Sequence, residues 1–428
     1  MPSVSRASGT VLRDRDFRLL WVGQAASQFG AQAGQVVLPL IAVLTLDAST
    51  GRLGALRAVE QAPILLFSLF AGAWVDRRRA RDVMVLSDLG RVLALAGIAL
   101  AYPLGVLGLP ALFVAAFVAG VLGVFFDVAY QASLVRLVRR DQLARGNSAL
   151  EGSRSAAQIG GPALGGALVS LLSAPVAALA SASFFALSTL SIRRIRRQED
   201  RQEDRQEALP APAPGLERSA GLRRQILEGL HLVARQPSLR AVGLASAVFQ
   251  FSFAALMTVY LLFLPRGLHL SGAAVGLALA ATGPGALVGS LLAARLPGRL
   301  GHGRVLVAAA VLADGVMLCV PALHGSAAVT VWLLMGINFT FGVFSQLVNV
   351  TLMAVRQAVT PVRIQGRVVA AINFVGMGLT PVGSLLGGLL ADELGLRSGL
   401  LVAAVGLALS PLCMALSPLA RLGRTLPL

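Results

Sequence analysis

Four glutamines follow one another through an otherwise apolar segment near the start of the chain. They are Gln24, Gln28, Gln32 and Gln35, separated by steps of four, four and three residues. On an α-helix these steps place all four amides on one stripe. An amide both donates and accepts hydrogen bonds, so the stripe could bind polar groups of a solute or bond to neighbouring helices.

Acidic residues also lie inside apolar segments, where an unpaired carboxylate is costly. Three of them have an arginine three residues away, a spacing that on a helix favours a local ion pair. These pairs are Arg57/Glu60, Asp88/Arg91 and Glu151/Arg154. Asp127 and Asp314 have no such neighbour.

Asp127 lies nine residues inside the basic end of its segment, a depth of about 13 Å along a helix. A carboxyl at that depth can gain and lose a proton as its hydration changes. Asp127 is therefore the first candidate for a proton-carrying group, and Glu60 is the second. Alternatively, Asp127 reaches Arg77 or Arg81 and helps to hold one conformation. The sequence leaves both interpretations open.

The segments that position these residues are predicted to be helices that cross a membrane. The chain is 56% hydrophobic and only 13% charged, against about 25% charged in soluble proteins. Apolar runs of about 20 residues, enough to cross a bilayer, recur from end to end. Twelve such helices are predicted, at 17–45, 54–75, 83–102, 108–135, 147–172, 175–192, 239–264, 272–294, 304–320, 327–355, 366–391 and 398–418. The fold class is therefore an all-α membrane protein.

Motifs for several other classes of protein are missing from the sequence. It contains no GxxxxGK[ST] loop for ATP and no HExxH or Cys/His cluster for a metal. Cys319 and Cys413 each stand alone in an apolar run, which predicts neither a disulfide nor a metal site. We find no nucleophile–base constellation either, so the sequence predicts no catalytic residues, no enzymatic activity and no cofactor.

The placement of arginine orients the helices. A net charge of +17 could indicate nucleic-acid binding, but most of the 37 basic residues fall in loops on one side of the predicted membrane. That asymmetry is the positive-inside pattern. It places both termini in the cytoplasm and predicts no nucleic-acid partner.

The chain divides into two similar halves of six helices. The stretch RLVRRDQLARGNSALEGSRSAAQIGGPALGGAL from Arg136 has a counterpart that starts at Arg356. Between the halves lies a charged segment with a tandem RQED repeat, predicted to be a solvated linker that leads into an amphipathic helix on the membrane surface. The predicted domains are residues 1–192, 193–238 and 239–428. Several transporters are built from such parallel repeats.

Two motifs carry a family resemblance over nearly the whole chain. GAWVDRRRAR, from Gly72 to Arg81, and the long stretch from Phe125 to Gly166 resemble the major facilitator superfamily, within its bacterial drug-efflux branch of macrolide, tetracycline and siderophore exporters. The resemblance implies the fold of two six-helix bundles in the inner membrane of a bacterial cell. It also implies a gate motif at Gly72, Asp76, Arg77 and Arg81, and a helix-bend motif at Gly161, Pro162, Gly165 and Gly166.

The sequence departs from this family in two places. Helix four lacks the intramembrane arginine that many antiporters use for proton coupling, since it has none before Arg136. The second-half loop RLPGRLGHGR keeps its arginines but has no aspartate at the matching position.

The resemblance implies a central cavity lined by the first, fourth, seventh and tenth helices. The polar residues that it places there are the glutamine stripe together with Tyr130, Gln131, Gln250, Asn338, Gln346 and Asn349. Because the ninth helix is peripheral in the resembled fold, Asp314 is expected between helices rather than on the route of a solute.

The sequence thus predicts a secondary active transporter. It is expected to export a small amphipathic molecule, such as a drug, an antibiotic or a siderophore, by proton antiport as a monomer in the lipid bilayer. The alternatives are a solute importer or a lipid flippase of the same fold, or a non-transporting membrane sensor or scaffold.

Overall fold

The structure is a computed structural model, and it describes residues 14–75, 78–138, 142–195, 235–325, 328–359 and 376–423. The helices of the first half are α1 Arg15–Leu44, α2 Thr50–Val75, α3 Ala80–Ala101, α4 Leu109–Leu137, α5 Leu143–Leu172 and α6 Ala174–Arg193. Those of the second half are α7 Pro237–Leu262, α8 Gly272–Ala280, α9 Thr282–Ala293, α10 Leu296–Leu300, α11 His302–Val316, α12 Ala328–Val359, α13 Thr380–Leu394 and α14 Leu396–Ala415.

The described helices correspond to the twelve predicted spans, although residues 366–375 of the predicted eleventh span lie outside the described residues. A π-helix, Phe263–Gly267, continues α7, and a 3₁₀-helix, Met317–Ala322, continues α11. The helices α8 and α9 form one span with a break at Ala281. Within the described residues, nine helices are long and apolar enough to cross a membrane, or ten if the bent α5 is counted. The remaining two spans, α2 and α13, pack against each other.

The turn between α5 and α6 is as short as the sequence predicted. Only Ser173 separates Leu172 from Ala174, and its φ of 69° lies in the left-handed region. Further back, α5 bends by 42° between Gln158 and Gly160. Pro162 explains the bend, because its ring clashes with the carbonyl of residue 158 and it lacks the N–H that would bond there.

The outside of the molecule is apolar. Large hydrophobic side chains stand exposed along nearly every span; examples are Leu66, Leu93, Leu171, Leu291, Trp332 and Leu416. In water such a surface would be unfavourable, whereas lipid tails solvate it. The chain is a multi-pass membrane protein.

The two halves meet mainly through two pairs of helices. The helix α2 packs on α13, and α5 packs on α8. The second and fifth spans of one half therefore contact the fifth and second spans of the other, as expected for two copies of one six-helix unit. The boundaries at 1–192, 193–238 and 239–428 stay a prediction, because the linker and its amphipathic helix lie almost wholly outside the described residues.

The buried apolar core differs between the two ends of the molecule. Where α1 ends and α2 begins, one continuous core joins both halves and includes Leu40, Leu53, Tyr260 and Leu400. We call this the sealed end. Where α1 begins, the described residues form separate cores in each half, around Phe17 in the first and around Leu239 and Val305 in the second. We call this the open end.

Candidate functional site

The sealed end is closed by contact between glycine backbones. A Cβ atom at Gly388 of α13 would lie 2.8 Å from the Cα of Gly54 in α2. Likewise, a Cβ atom at Gly276 of α8 would lie 3.0 Å from the carbonyl carbon of Gly166 in α5. Only glycine allows helices to approach this closely. No solute can pass between helices packed backbone to backbone.

Polar groups also cross the sealed end. The Asp392 carboxylate of α13 accepts hydrogen bonds from the backbone N–H of Gly51 at 2.8 Å and from the Ser49 hydroxyl at 3.4 Å. The first turn of α2 carries unpaired N–H groups and a partial positive charge, so a carboxylate is favoured there. An ion pair between Arg266 and Asp47 forms a second link across this end.

In the first half, Asp127 of α4 lies against α1. The side-chain amide of Gln28 donates a hydrogen bond to the Asp127 carboxylate at 3.2 Å. Asp127 is exposed rather than enclosed by protein, and Arg91 and Arg154 lie within electrostatic range of it. The carboxylate therefore has one amide partner, two cations nearby and access from outside the protein core.

Arg91 occupies the centre of the first half. Its guanidinium lies 3.3 Å from the Asp88 carboxylate and donates to the Ser27 hydroxyl at 3.1 Å, while that hydroxyl donates to Asp88 at 2.9 Å. It also lies over the rings of Phe126 and Phe185, at 5.3 and 5.0 Å from their centroids. Asp88 and Arg91 are 0% and 4% exposed.

The spacing of Asp88 and Arg91 predicted their ion pair, and the structure confirms it. What the sequence did not reveal is that Arg91 reaches α4, the helix that has no arginine of its own before Arg136. Gly123 of α4 leaves room for this side chain, since a Cβ there would lie 3.2 Å from an Arg91 nitrogen. Gly123 was the one residue of α4 that could have indicated this contact. Its role becomes visible only when the packing of α3 against α4 is known.

The other two predicted ion pairs differ from this one. Glu151 and Arg154 pair at 3.8 Å, but their side chains are 61% and 42% exposed, and such pairs contribute little. Arg57 and Glu60 interact electrostatically, yet within the described part of the chain they make no contact short enough for an ion pair. The expected direct pair of Glu60 is therefore wrong, although the two charges remain neighbours.

The gate motif is only partly within the described residues. Asp76 and Arg77 lie outside them. Gly72 is half-buried, and no atom of the described residues lies within 4 Å of where its Cβ would be. Arg81 donates a hydrogen bond to the backbone carbonyl of Arg193, at the end of α6, at 2.6 Å. Arg81 is thus engaged within the first half rather than with Asp127.

The glutamine stripe runs from the protein interior to the surface. Gln24 is 0% exposed, and its side-chain oxygen accepts a hydrogen bond from Ser153 of α5 at 3.0 Å. Gln28 and Gln32 are half-buried, and Gln35 is exposed. Assigning Gln24 to a cavity wall is therefore wrong, because it bonds between α1 and α5. The side chains of Gln28, Gln32 and Gln35 are at least partly exposed.

Two further residues of the predicted cavity are buried between helices. Asn338 of α12 donates a hydrogen bond to the Tyr260 hydroxyl of α7 at 2.7 Å. Tyr130 is nearly buried and packs beside Phe126, at 6.3 Å between ring centroids. Asn338 thus links α12 to α7, and Tyr130 belongs to the buried core of the first half, which corrects their assignment to the cavity surface. By contrast, Gln131 is exposed.

The second half contains a cavity of about 390 Å³ that is lined by residues of α7, α11, α12 and α14. Gln250, Gln346 and Asn349, all predicted from the sequence, line it together with Asp314 and Arg356. Gln346 also donates a hydrogen bond to Ser290 of α9 at 3.2 Å. A volume of this size is within the range of small-molecule sites.

The helix-bend motif has two contact surfaces. Gly161 and Gly165 pack closely on α1, at Gln32 and Ala33 respectively. Gly166, the next residue along, contacts Gly276 of the other half. With the bend at Pro162, the motif shapes α5 to fit α1 on one side and α8 on the other.

Comparisons with known proteins agree with this architecture. A family model described as Major Facilitator Superfamily matches residues 20–377 and 242–424. The Multidrug efflux pump Tap of Mycobacterium tuberculosis (strain ATCC 25618 / H37Rv) is 28% identical over 381 residues, which cover 85% of this chain and 84% of that protein. Tap of Mycolicibacterium fortuitum is 27% identical over 347 residues, covering 78% and 80%.

Solved structures show the same fold at lower identity. A bacterial homolog of the human lysosomal transporter Spinster superposes with a TM-score of 0.71 at 12% identity, over 97% of this chain and 98% of the other. A bacterial homologue of the iron transporter ferroportin gives a TM-score of 0.69 at 17% identity, over 94% and 98%. At these identities the likeness concerns the fold alone.

Proposed function

The chain belongs to the major facilitator superfamily, and on that premise we propose that it exports a small amphipathic molecule in exchange for protons. It is a transporter of this superfamily with distant multidrug-efflux relatives. The proposal adds three features, namely the direction of transport, the type of substrate and the coupling to protons. The name of the Tap proteins, multidrug efflux pump, supports export and a drug-like substrate.

The observation that carries the proposal is the difference between the two ends. One core joins the halves at the sealed end, whereas at the open end the described residues form separate cores in each half. A solute that enters between the halves therefore meets polar side chains of α1, α4, α7 and α12 and can go no further. Transport then requires the sealed end to part and the open end to close, which is rocking of one bundle against the other.

Asp127 is the proposed proton carrier. Its carboxylate is exposed and bonded to the Gln28 amide in this conformation. When the open end closes, water leaves and the charged form of a carboxyl is disfavoured. Protonation would then accompany closure, and release would accompany opening. Glu60 remains the reserve carrier, because it has no direct ion pair among the described residues.

The glutamines support an amphipathic rather than a highly charged substrate. Gln28, Gln32 and Gln35 offer donors and acceptors without adding charge. We propose that the open end faces the cytoplasm, as the arginine distribution of the sequence predicts. A drug would then enter from the cytoplasm or the inner leaflet. The gate motif at Asp76 and Arg77, outside the described residues, is proposed to hold the opposite conformation.

Everted membrane vesicles test the proposal. Vesicles from cells that express the chain are given an acidic lumen, and accumulation is followed for a panel of fluorescent drugs. We expect at least one drug to accumulate, and we expect collapse of the pH gradient by nigericin to abolish accumulation. Gradient-driven accumulation only in right-side-out vesicles would identify an importer. Accumulation that persists without any ion gradient would exclude secondary transport.

A further inference from the structure

The cavity in the second half contains a carboxyl that the proposed transport cycle does not use. Asp314 of α11 lines this cavity and is only 2% exposed. Among the described residues, no hydrogen bond or ion pair to its side chain is found. Burial of an unpaired carboxylate costs several kcal/mol, so a residue of this kind inside a membrane marks a functional site.

The charge of Arg356 does not neutralise Asp314. The helices α11 and α12 run in opposite directions, and Arg356 lies three residues from the end of α12 at the open end. Asp314 lies twelve residues into α11. At 1.5 Å per residue these positions are about 5 Å and about 18 Å from the open end, respectively. Arg356 therefore lies towards the open end of the molecule, and Asp314 lies about 13 Å deeper.

The rest of the lining suits a molecule with both a cation and an apolar body. Ser246, Gln250 and Asn349 supply hydrogen-bond acceptors. Phe249 lines the same cavity and stacks on Phe253 at 5.4 Å between centroids. An aromatic ring binds both apolar groups and cations. The cavity of about 390 Å³ accepts an aromatic amine of moderate size.

We propose that this cavity is a binding site for a protonated organic amine, with Asp314 as its counter-ion and Phe249 as the surface for its apolar part. This inference rests on the proposed function, since it names the class of substrate. It also assigns proton exchange and substrate binding to different halves of the protein. Asp127 exchanges protons with the medium in the first half, whereas Asp314 binds the cargo in the second.

A matched pair of ligands tests the site without any transport. The purified protein is placed in lipid nanodiscs, and equilibrium dialysis measures the affinities of 2-(1-naphthyl)ethylamine and 2-(1-naphthyl)ethanol. The two have nearly the same shape, but only the amine is charged at neutral pH. We expect the wild-type protein to bind the amine at least tenfold more tightly. We expect Asp314→Asn to remove this preference while leaving alcohol binding unchanged.

The matched control is Glu393→Gln, which removes an exposed carboxylate at the sealed end. It should keep the wild-type preference for the amine. Equal binding of amine and alcohol by the wild-type protein would overturn the proposal, even if Asp314→Asn fails to fold. So would an Asp314→Asn protein that prefers the amine as before, or one that loses both ligands together.

Loss of amine binding when potassium in the buffer is replaced by sodium would assign the site to a metal cation instead, which also overturns the proposal. Because the assay uses no ion gradient, its result is independent of whether the protein is a proton antiporter. If the vesicles transport a drug but the purified protein does not prefer the amine, only the proposed site at Asp314 is refuted.

Discussion

The carboxylate of Asp392 accepts a hydrogen bond from the backbone N–H of Gly51 at 2.8 Å, so that one half of the protein caps the first turn of a helix in the other. A cap of this kind can form only while the sealed end is closed. It therefore stabilises one conformation of the transporter at the expense of the other. A charged hydrogen bond contributes about 1.5–3 kcal/mol, enough to shift a two-state balance by tenfold or more.

We expect Asp392→Ala to open the sealed end more often. In a background without Cys319 and Cys413, a cysteine replacing the buried Thr50 reports this opening through its rate of labelling by an impermeant maleimide. Asp392→Ala should raise that rate several-fold. The control Glu393→Ala removes the neighbouring carboxylate and should leave it unchanged. An unchanged rate in Asp392→Ala would show that the cap does not hold this end.

The glycine contact between Gly54 and Gly388 leads to a second prediction. Gly388→Val adds a Cβ that would lie 2.8 Å from the Cα of Gly54. Because this distance is too short for two carbon atoms, the sealed end cannot close. We expect a folded protein whose Thr50→Cys site labels rapidly and whose drug transport is lost. Gly336→Val should be tolerated, because that position faces open space. Normal transport by Gly388→Val would refute the role of this contact in closure.

Arg91 is predicted to be structural as well as electrostatic. Arg91→Leu leaves Asp88 buried without its cation, which costs about 3–5 kcal/mol in the free energy of unfolding. Thermal melting in detergent should show a large drop in Tm. The exposed pair offers the control, since Arg154→Leu removes at most about 1 kcal/mol. Similar melting of the two variants would mean that the contacts of Arg91 add no stability.

The glutamines should separate into two groups. Gln28→Leu with Gln32→Leu is expected to change which drugs of a panel are exported while leaving the melting temperature close to that of the wild type. Gln24→Leu is expected to lower the melting temperature, because it removes the hydrogen bond that Gln24 of α1 accepts from Ser153 of α5, and to leave relative drug selectivity unchanged. The reverse pattern would assign the exposed glutamines to packing.

The glutamines also show what can be predicted from the sequence and what cannot. Periodicity placed the four glutamines on one face of α1, and the structure keeps them there. Periodicity does not give depth, however, and Gln24 is buried whereas Gln35 is exposed. Spacing likewise found the pair of Asp88 and Arg91, because three residues on a helix is a local relationship.

Contacts between distant segments could not be predicted in this way. Arg91 meets Ser27, Phe126 and Phe185 from three other helices, and nothing in their spacing links them. Asp314 was expected between helices, and only the packing of α11 against its neighbours shows that it lines a cavity. The fold could be predicted from apolar length and family motifs, whereas the site depends on how the helices are arranged.

The central claim is that Asp127 couples substrate movement to protons, and Asp127→Asn tests it most directly. The variant, the wild type and a Glu393→Gln control are reconstituted into proteoliposomes with a drug that the wild type exports. Two rates are measured, namely uphill transport driven by a pH gradient and downhill exchange without one. We predict that Asp127→Asn loses uphill transport and keeps downhill exchange, while the control keeps both. Uphill transport by Asp127→Asn with unchanged pH dependence would contradict the account, and loss of both rates would place Asp127 in the gate instead.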